Sequence, residues 1–389
     1  MKKILFVILG MFVCLGHTTA EDKFVVTSAS VLSGGKGYVE IALNNDVTTA
    51  CPGFQFELVL PSGVVATGDF QEGSRLAGLS FTTSVTDRGE YYQVLSYQSD
   101  VVPMSGTEGG VIGIVIQADA SIAAGQNLSA SLRTLKITNA DAVSILVAET
   151  QPFEISVTDR VILDESSEYA PVDQEEVNVT VNRTLKKDNW STICLPFDMD
   201  ANQISTAFGD DALLADFVGC EVGSGAETLT VQFTEWDPTE EGIYANYPYL
   251  IKVTRDISSF DIDNVTIESD EGSAKNTVSV GKGKNKKDYS FVGTLHANII
   301  PENGLFLSNN KFYYSAGQTA IKAFRGYFVF ADVLAGVGEV KLNVVDPTTR
   351  INSVDAEGSN EAVYDLSGRR IVKPQQRGIY IVNGKKVAK

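Results

Sequence analysis

Along residues 21–158 apolar and polar positions alternate. Val39, Ile41 and Leu43 are separated by Glu40 and Ala42, and Phe54, Phe56, Leu58 and Leu60 by Gln55, Glu57 and Val59. Leu135 with Ile137, and then Phe153, Ile155 and Val157, keep the same period. Successive side chains of a strand point to opposite faces, so a period of two rich in β-branched and aromatic residues predicts half-buried strands. Ser33-Gly34-Gly35-Lys36-Gly37 and Pro61-Ser62-Gly63 supply turns between them. Many short strands at such intervals predict a sandwich of two sheets that bury their facing apolar sides.

Residues 159–176 change character: Asp164, Glu165, Glu168, Asp173, Glu175 and Glu176 surround the single Pro171, which reads as a solvated acidic linker. A second β-rich unit is expected over 177–345, with strands at 177–181, 229–233, 249–253, 311–314, 321–330 and 339–345. Helical spacing occurs only around 203–217, where Ile204, Ala207 and Phe208 stand at i, i+3 and i+4. Within 346–389 three short strands are expected, at 362–366, 378–382 and the end. Ser367-Gly368 and Asn383-Gly384 make the turns, the latter a favoured hairpin pair. The fold class is therefore mainly all-β: an N-terminal β-sandwich, a second β-rich domain with one short helix, and a small C-terminal β module.

The first residues add an address. Lys2 and Lys3 precede an apolar run over 4–15 and then Thr18-Thr19-Ala20, so residues 1–20 read as a secretory signal cleaved between Ala20 and Glu21. The run falls short of the roughly 20 apolar residues that span a bilayer. Cys14 follows Met11-Phe12-Val13 rather than the small residues of a lipoprotein signal. No later stretch reads as a transmembrane helix, so the expectation is an exported protein at the cell surface, the outer membrane or outside the cell. Removing the signal leaves 29 Lys+Arg against 49 Asp+Glu, a net charge of −20. Such a surface disfavours nucleic acid, whose phosphates require neutralisation by Lys and Arg. Cys51, Cys194 and Cys220 remain. An oxidising compartment permits a Cys194–Cys220 disulfide, and burial of each as a small apolar residue is the alternative.

Three resemblances follow from particular segments. "YVEIALNND", "GFQFELVLPSGVV", "GGVIGIVIQADASIAAGQ" and "LRTLKITNADA", in that order, resemble the cohesin-like and carbohydrate-binding-module-like sandwiches of secreted bacterial proteins. That resemblance covers about 135 residues and implies a binding or spacer module. Residues 190–197, 247–251 and 321–328 ("WSTICLPF", "YPYLI", "IKAFRGYF") resemble a recurrent domain of secreted Bacteroidetes proteins. The tail, "EAVYDLSGRRIVKPQQRGIYIVNGKKVAK", resembles the end of a type IX secretion sorting domain. Its matched residues include Tyr364, Leu366, Gly368, Arg369, Gly378, Tyr380, Lys385, Lys386 and Lys389. Seven basic against two acidic residues give this tail +5 on an otherwise acidic chain. The family's upstream strand is replaced by Asp346-Pro347 and a polar run. The resemblance thus implies either secretion or attachment machinery as a partner, or a structural cap.

Candidate chemistry changes this picture little. His296 is the one histidine left after the signal, which removes histidine-rich metal sites and leaves a Ser-His-Asp triad a single residue to build on. No nucleophile elbow, phosphate loop or dinucleotide fingerprint is present, so no catalytic residue, metal or cofactor is assigned. Asp198, Asp200 and Asn202 begin like a calcium loop, but Gln203 and Gly209 stand where Gly and Glu are required, and a helix start suits them better. Glu235 and Asp237 flank Trp236, the basis of an alternative reading as a carboxylate-dependent glycan hydrolase. Lys282, Lys284, Lys286 and Lys287 read as an exposed loop tip. Aromatics for stacking on sugar rings are Tyr91, Tyr92 and Tyr97, or Tyr244, Tyr247 and Tyr249, with core packing as the alternative. The function expected is a non-enzymatic surface or secreted protein that binds glycan or protein. A structural envelope or fimbria-like subunit is a further alternative.

Overall fold

The computed structural model describes residues 22–46, 50–222, 228–236, 238, 242–270, 272–280, 286–330 and 339–346, together with the backbone of four short strands beyond them. The signal residues, with Ala20 and Glu21, lie outside the described residues.

The first unit contains β1 (Lys23–Leu32), β2 (Lys36–Asn44), β3 (Gly53–Val59), β4 (Val64–Glu72), β5 (Thr82–Asp87), β6 (Tyr92–Tyr97), β7 (Gly110–Ala118), β8 (Asn127–Thr138) and β9 (Ser144–Thr158). They hydrogen-bond in the order β4-β7-β2-β1-β9-β8-β3-β6-β5. The seam between β1 and β9 is short and parallel, with Ser30, Val31 and Leu32 opposite Ser156, Val157 and Thr158. At that seam the ribbon folds over. Phe24 on β1 meets Phe54 and Phe56 on β3, at ring distances of 6.1 and 5.7 Å, although β9 and β8 separate the two strands in the sheet. The expected sandwich is therefore present, as two halves of one continuous sheet. Its core is the predicted inward set: Val39, Ile41, Leu43, Phe54, Phe56, Leu58, Leu135, Ile137, Ile155 and Val157 are all buried.

The second unit begins inside the predicted linker. It contains β10 (Val161–Asp164), β11 (Gln174–Asn182), β12 (Trp190–Ile193), α1 (Ala201–Phe208), β13 (Leu213–Val222), β14 (Thr228–Trp236), β15 (Tyr249–Lys252) and β16 (Phe260–Ile267). It continues with β17 (Lys275–Val280), β18 (Lys287–Thr294), β19 (Asn298–Ser308), β20 (Lys311–Ile321), β21 (Arg325–Phe330) and β22 (Glu339–Val345). The sheet β12-β15-β13-β14-β22 is covered on both sides. Leu214 and Ile251 face one cluster with α1 and the sheet β10-β11-β16. Ala215 and Leu250 face the other, with the sheet β17-β18-β21-β19-β20. Burial on both faces explains near-continuous apolar runs such as Tyr249-Leu250-Ile251.

Four expectations are corrected here. The stretch 159–176 is not a free solvated linker: it carries β10 and the start of β11, and Leu163, Glu165 and Tyr169 are buried, while Asp173, Glu175 and Glu176 stay exposed. The helix covers Ala201–Phe208 rather than extending to 217. Gly209, at φ 98°, ends it, and Leu213–Val222 is strand because both of its faces are buried against sheets. The strand read over 321–330 breaks at Lys322–Phe324, where Phe324 takes φ 58°. Cys194 and Cys220 are free thiols. Cys194 sits in the cluster on one side of the five-stranded sheet, while Cys220 packs on the other.

The C-terminal module comprises β23 (Val363–Asp365), β24 (Arg370–Ile371), β25 (Ile379–Val382) and β26 (Lys385–Ala388), in the order β24-β23-β25-β26. Tyr364 stands opposite Ile381, and Val382 opposite Lys385.

Candidate binding faces of the first sandwich

The two outer faces of the first sandwich have different fates. The half β4-β7-β2-β1 is covered by the chain itself, by a strap over residues 164–174. Tyr38 donates to the Ala170 carbonyl at 2.9 Å. Gln71 donates to the Tyr38 hydroxyl at 2.6 Å and accepts from the Ala170 N–H at 2.9 Å. Glu168 accepts from the Gly110 N–H at 3.1 Å, and Gln174 from the Lys36 N–H at 2.7 Å. Two glycines of β7 make room for this. A Cβ on Gly113 would stand 2.7 Å from the Tyr169 ring, and one on Gly110 would stand 2.5 Å from the Glu168 carboxylate. Burial raises the Tyr38 and Tyr169 hydroxyls well above the usual tyrosine range, with the neighbouring carboxylates adding to it.

The strap is pinned to the second unit at its other end. Glu165 accepts from Lys322 at 2.9 Å, from Arg325 at 2.5 Å and from the Thr184 N–H at 3.2 Å, with Arg183 at 3.5 Å. Arg183 is fully buried and also donates to the carbonyls of Phe324, Thr184 and Thr192. Burial, and then Arg325, pull the Arg183 pKa down to about 9, against the opposing pull of Glu165. Burial alone would raise the Glu165 carboxyl; Lys322, Arg325, the Thr184 amide and Arg183 outweigh it and hold the group below the usual carboxylate range. A groove of about 640 Å³ remains between the strap and the β1–β2 side of the sheet.

The opposite half, β8-β3-β6-β5, turns its inner side chains into the sandwich core, β5 also touches β4, and its outward side chains are partly or fully exposed. One cross-strand row runs Arg133, Glu57, Gln93, Thr86 and the next runs Lys136, Gln55, Leu95, Ser84. Arg133 pairs with Glu57 at 3.3 Å and lies over the Tyr91 ring at 5.7 Å. The third row, Thr138-Gly53-Tyr97-Thr82, ends the sheet. Further exposed apolar side chains lie at or near the same end: Val101 and Val102 in the loop after β6, Val143 in the β8–β9 turn, and Ile145 and Leu146 at the start of β9, opposite Ile137 and Lys136. Six of the thirteen large apolar residues exposed among the described residues, Tyr97 included, gather at this end. Scattered exposed apolar residues are ordinary, whereas a gathered set marks a contact surface.

The structure separates the aromatic residues singled out in the sequence. Tyr92 packs toward the sandwich core, while Tyr91 and Tyr97 take odd positions on the outer face, six residues apart. The three form no common stacking platform. Tyr247 and Tyr249 belong to the core of the second unit, their rings 4.8 Å apart, and the Tyr249 hydroxyl accepts from the Tyr244 N–H at 3.2 Å. Burial, with Asp216 next, raises both hydroxyls well above the usual tyrosine range. Core packing is therefore their role. Trp236 is buried in the same cluster, 5.7 Å from the Tyr249 ring, so it does not line a sugar cleft beside Glu235. Asp237 lies outside the described residues.

Asp200 caps α1. It accepts from the Gln203 N–H at 2.8 Å and the Gln203 side chain accepts from the Asp200 N–H at 2.9 Å, which is the reciprocal capping box. Asp198 accepts from the Ala245 N–H at 2.7 Å. Lys286 pairs with Asp288 at 3.2 Å, and Lys282 and Lys284 lie outside the described residues. In the tail, Tyr364, Tyr380, Lys385 and Lys386 fall on strands, and Leu366, Gly368, Arg369, Gly378 and Lys389 lie outside the described residues. What the sequence reading missed is the strap and the apolar end of the open face. The glycines in Gly110-Val-Ile-Gly113 were the available signal for the first, since a buried strand keeps glycine where another segment approaches closely.

No family model and no curated protein matches the chain. Among solved structures it is similar to a non-cellulosomal cohesin from the archaeon Archaeoglobus fulgidus, at 19% identity over 35% of this chain and 91% of that one, with a TM-score of 0.27. It is also similar to the third cohesin of ScaC from Acetivibrio cellulolyticus, solved in complex with the ScaB dockerin, at 16% identity over 34% and 94%, TM-score 0.30. A third is CaCohA2 from Clostridium acetobutylicum, at 15% identity over 36% and 92%, TM-score 0.29. The β-sandwich assignment rests on strand pairing and packing within the chain, not on these likenesses. No helix among the described residues is long and apolar enough to cross a membrane.

Proposed function

We propose that this is an exported, non-enzymatic binding protein whose first sandwich engages another protein through the open face β8-β3-β6-β5. The observation that carries the reading is the asymmetry of that sandwich. One outer face is occupied by the strap, while the other is, among the described residues, a partly exposed polar sheet with Tyr97, Val101, Val102, Val143, Ile145 and Leu146 at or near one end. An apolar patch beside hydrogen-bonding side chains has the make-up of a protein contact, where buried apolar area supplies affinity and polar groups supply register. A glycan would require a shared aromatic platform, and Tyr91, Tyr92 and Tyr97 do not provide one. The second unit, packed on the strap, serves as a spacer, and the basic tail serves as an address read by secretion or attachment machinery.

The test has two parts. Crosslinking through Lys136 in the native envelope identifies the partner, and calorimetry with that partner purified compares the wild type with a Tyr97→Ser, Ile145→Ser, Leu146→Ser variant. A loss of about tenfold or more in affinity is expected, with no change in a Tyr313→Ser control on the second unit. Unchanged affinity in the triple variant refutes the open face as the site. For the tail, truncation after Val345 in a host with type IX secretion is expected to leave folded protein in the periplasm. Equal export of both forms refutes the address.

A further inference from the structure

The groove of about 640 Å³ between the strap and the β1–β2 side of the first sandwich lies where the two units meet, with Phe324 of the second unit in its wall. Its volume falls in the range of small-ligand sites, and such sites favour junctions between domains. Its shape follows the sheet. The outward residues of β2, Lys36, Tyr38, Glu40, Ala42 and Asn44, all line it. A strand rises about 3.3 Å per residue, so the groove accompanies β2 for about 26 Å and suits a slender, extended ligand.

The charge of the lining points to one kind of ligand. Carboxylates from Glu40, Glu108, Asp164 and Glu168 stand in it against the single ammonium of Lys36. Two of the four are engaged by the chain. Asp164 accepts from the Ser166 N–H at 2.9 Å and from the Asn182 amide at 3.3 Å, and Glu168 Oε2 accepts from the N–H groups of Ser74 and Gly110. Glu40, half-buried on the groove floor, is held differently. Its Oε1 accepts from the Ser167 hydroxyl at 2.9 Å, while its Oε2 has no hydrogen-bond partner and the group has no ion pair among the described residues. Ser28 stands opposite it on β1, and the rings of Tyr38 and Tyr169, 5.9 Å apart, border the same groove.

A carboxylate with acidic neighbours and no basic partner attracts a cation, and the geometry decides which. A hard metal ion requires six or more converging oxygens, and Asp164 and Glu168 are already engaged. An ammonium requires fewer. It carries three N–H donors, which Glu40 Oε2 and the Ser28 hydroxyl can accept, and it is drawn to tyrosine ring faces. Val25, Val31 and Val172 give the groove apolar surface on which a methylene chain can lie. We propose that the groove binds an alkylammonium group, carried by a linear polyamine or by a lysine side chain of an extended peptide, with Glu40 as its counter-ion. Lys36, about 13 Å along β2 from Glu40, repels a second cation at its end and so gives the ligand a direction. This groove lies on the half of the sandwich away from the open face, so it is independent of the partner proposed there.

Titration calorimetry on the full chain, in about 150 mM salt to screen loose surface attraction, tests this with three probes. They are spermidine, the peptide acetyl-Ala-Ala-Ala-Lys-Ala-Ala-Ala-amide, and the same peptide with norleucine in place of lysine. Saturable one-to-one binding of spermidine or of the lysine peptide is expected, and none of the norleucine peptide. Which amine binds distinguishes a free polyamine from a protein side chain as the source. Glu40→Gln is expected to weaken binding about tenfold or more, since a charge-assisted hydrogen bond is lost. Glu149→Gln, which removes an equal charge from an exposed position on β9, is expected to change nothing. Ser28→Trp, which fills the groove floor and leaves every carboxylate in place, is expected to abolish binding, with melting curves confirming that each variant is folded. Absence of binding by both amines overturns the proposal. So does a norleucine peptide that binds as tightly as the lysine one, an equal loss in Glu40→Gln and Glu149→Gln, or wild-type affinity in folded Glu40→Gln or Ser28→Trp.

Discussion

Replacing Glu165 with alanine removes the one carboxylate among Arg183, Lys322 and Arg325. Lys322 is more than half exposed and Arg325 about a quarter, so water takes over part of their solvation. Arg183 has no such recourse, since its side chain is fully buried and its remaining partners are neutral carbonyls. Removing one member of a buried pair costs about 3–5 kcal/mol, because the other charge is left uncompensated. At about 2–4 °C per kcal/mol for a domain of this size, the second unit is expected to melt about 6–20 °C lower. Calorimetry at pH 7 measures it. Adding Arg183→Met to Glu165→Ala is expected to restore a large part of the loss, because an apolar replacement removes the stranded charge. The pH dependence has a definite sign. Burial raises the Glu165 carboxyl, but the Lys322 bond, Arg325, Thr184 and Arg183 hold it below the usual range. Its contribution is therefore complete above the ordinary value of about 4.3 and is lost as pH falls through the folded value. The gap between wild type and Glu165→Ala should narrow below about pH 4. A gap under about 1 kcal/mol at pH 7, or one that stays constant into acid, refutes the reasoning.

Other perturbations test separate parts of the structure. Gly113→Ala places a methyl 2.7 Å from the Tyr169 ring, so limited proteolysis within 164–174 should quicken while the β8 region stays intact. Asp200→Ala removes the cap of α1 and should cost about 1 kcal/mol by denaturant titration. Phe328→Ala opens the aromatic cluster where Phe328 stacks on Phe291 at 4.4 Å, at a cost of about 3–5 kcal/mol in the same titration. In guanidinium without reductant, a thiol reagent should count Cys51, Cys194 and Cys220 as free after signal removal. A count of one would establish a bridge.

Much of the strand pattern was legible in the sequence. Period-two alternation identified the inward set of the first sandwich, from Val39 and Ile41 to Ile155 and Val157, because the pleat ties alternation to burial. The helix start was legible too, since Asp200 and Gln203 form a local capping pair that needs no tertiary partner. The helix end was less so: apolar residues continue through Leu213 and Leu214, and only the sheets on either side of β13 make that stretch a strand. Alternation states which residues share a face and is silent on what covers it. Hence Tyr247 and Tyr249 read as candidate stacking residues and proved to be core, while Val101 and Leu146 became notable only once the end they share with Tyr97 was assembled.

The acidic stretch 159–176 shows the division most clearly. Its composition determined that it is rich in carboxylates, and for an isolated segment that means a solvated chain. Tertiary structure alone decided otherwise. Lys322 and Arg325 arrive from more than 150 residues downstream to neutralise Glu165, and Gly110 and Gly113 offer a flat strand on which Tyr169 and Glu168 can lie. Charge and pattern are properties of the chain, fixed residue by residue. Which charges meet, and which of two similar faces is left open, depends on contacts between segments that the sequence keeps far apart.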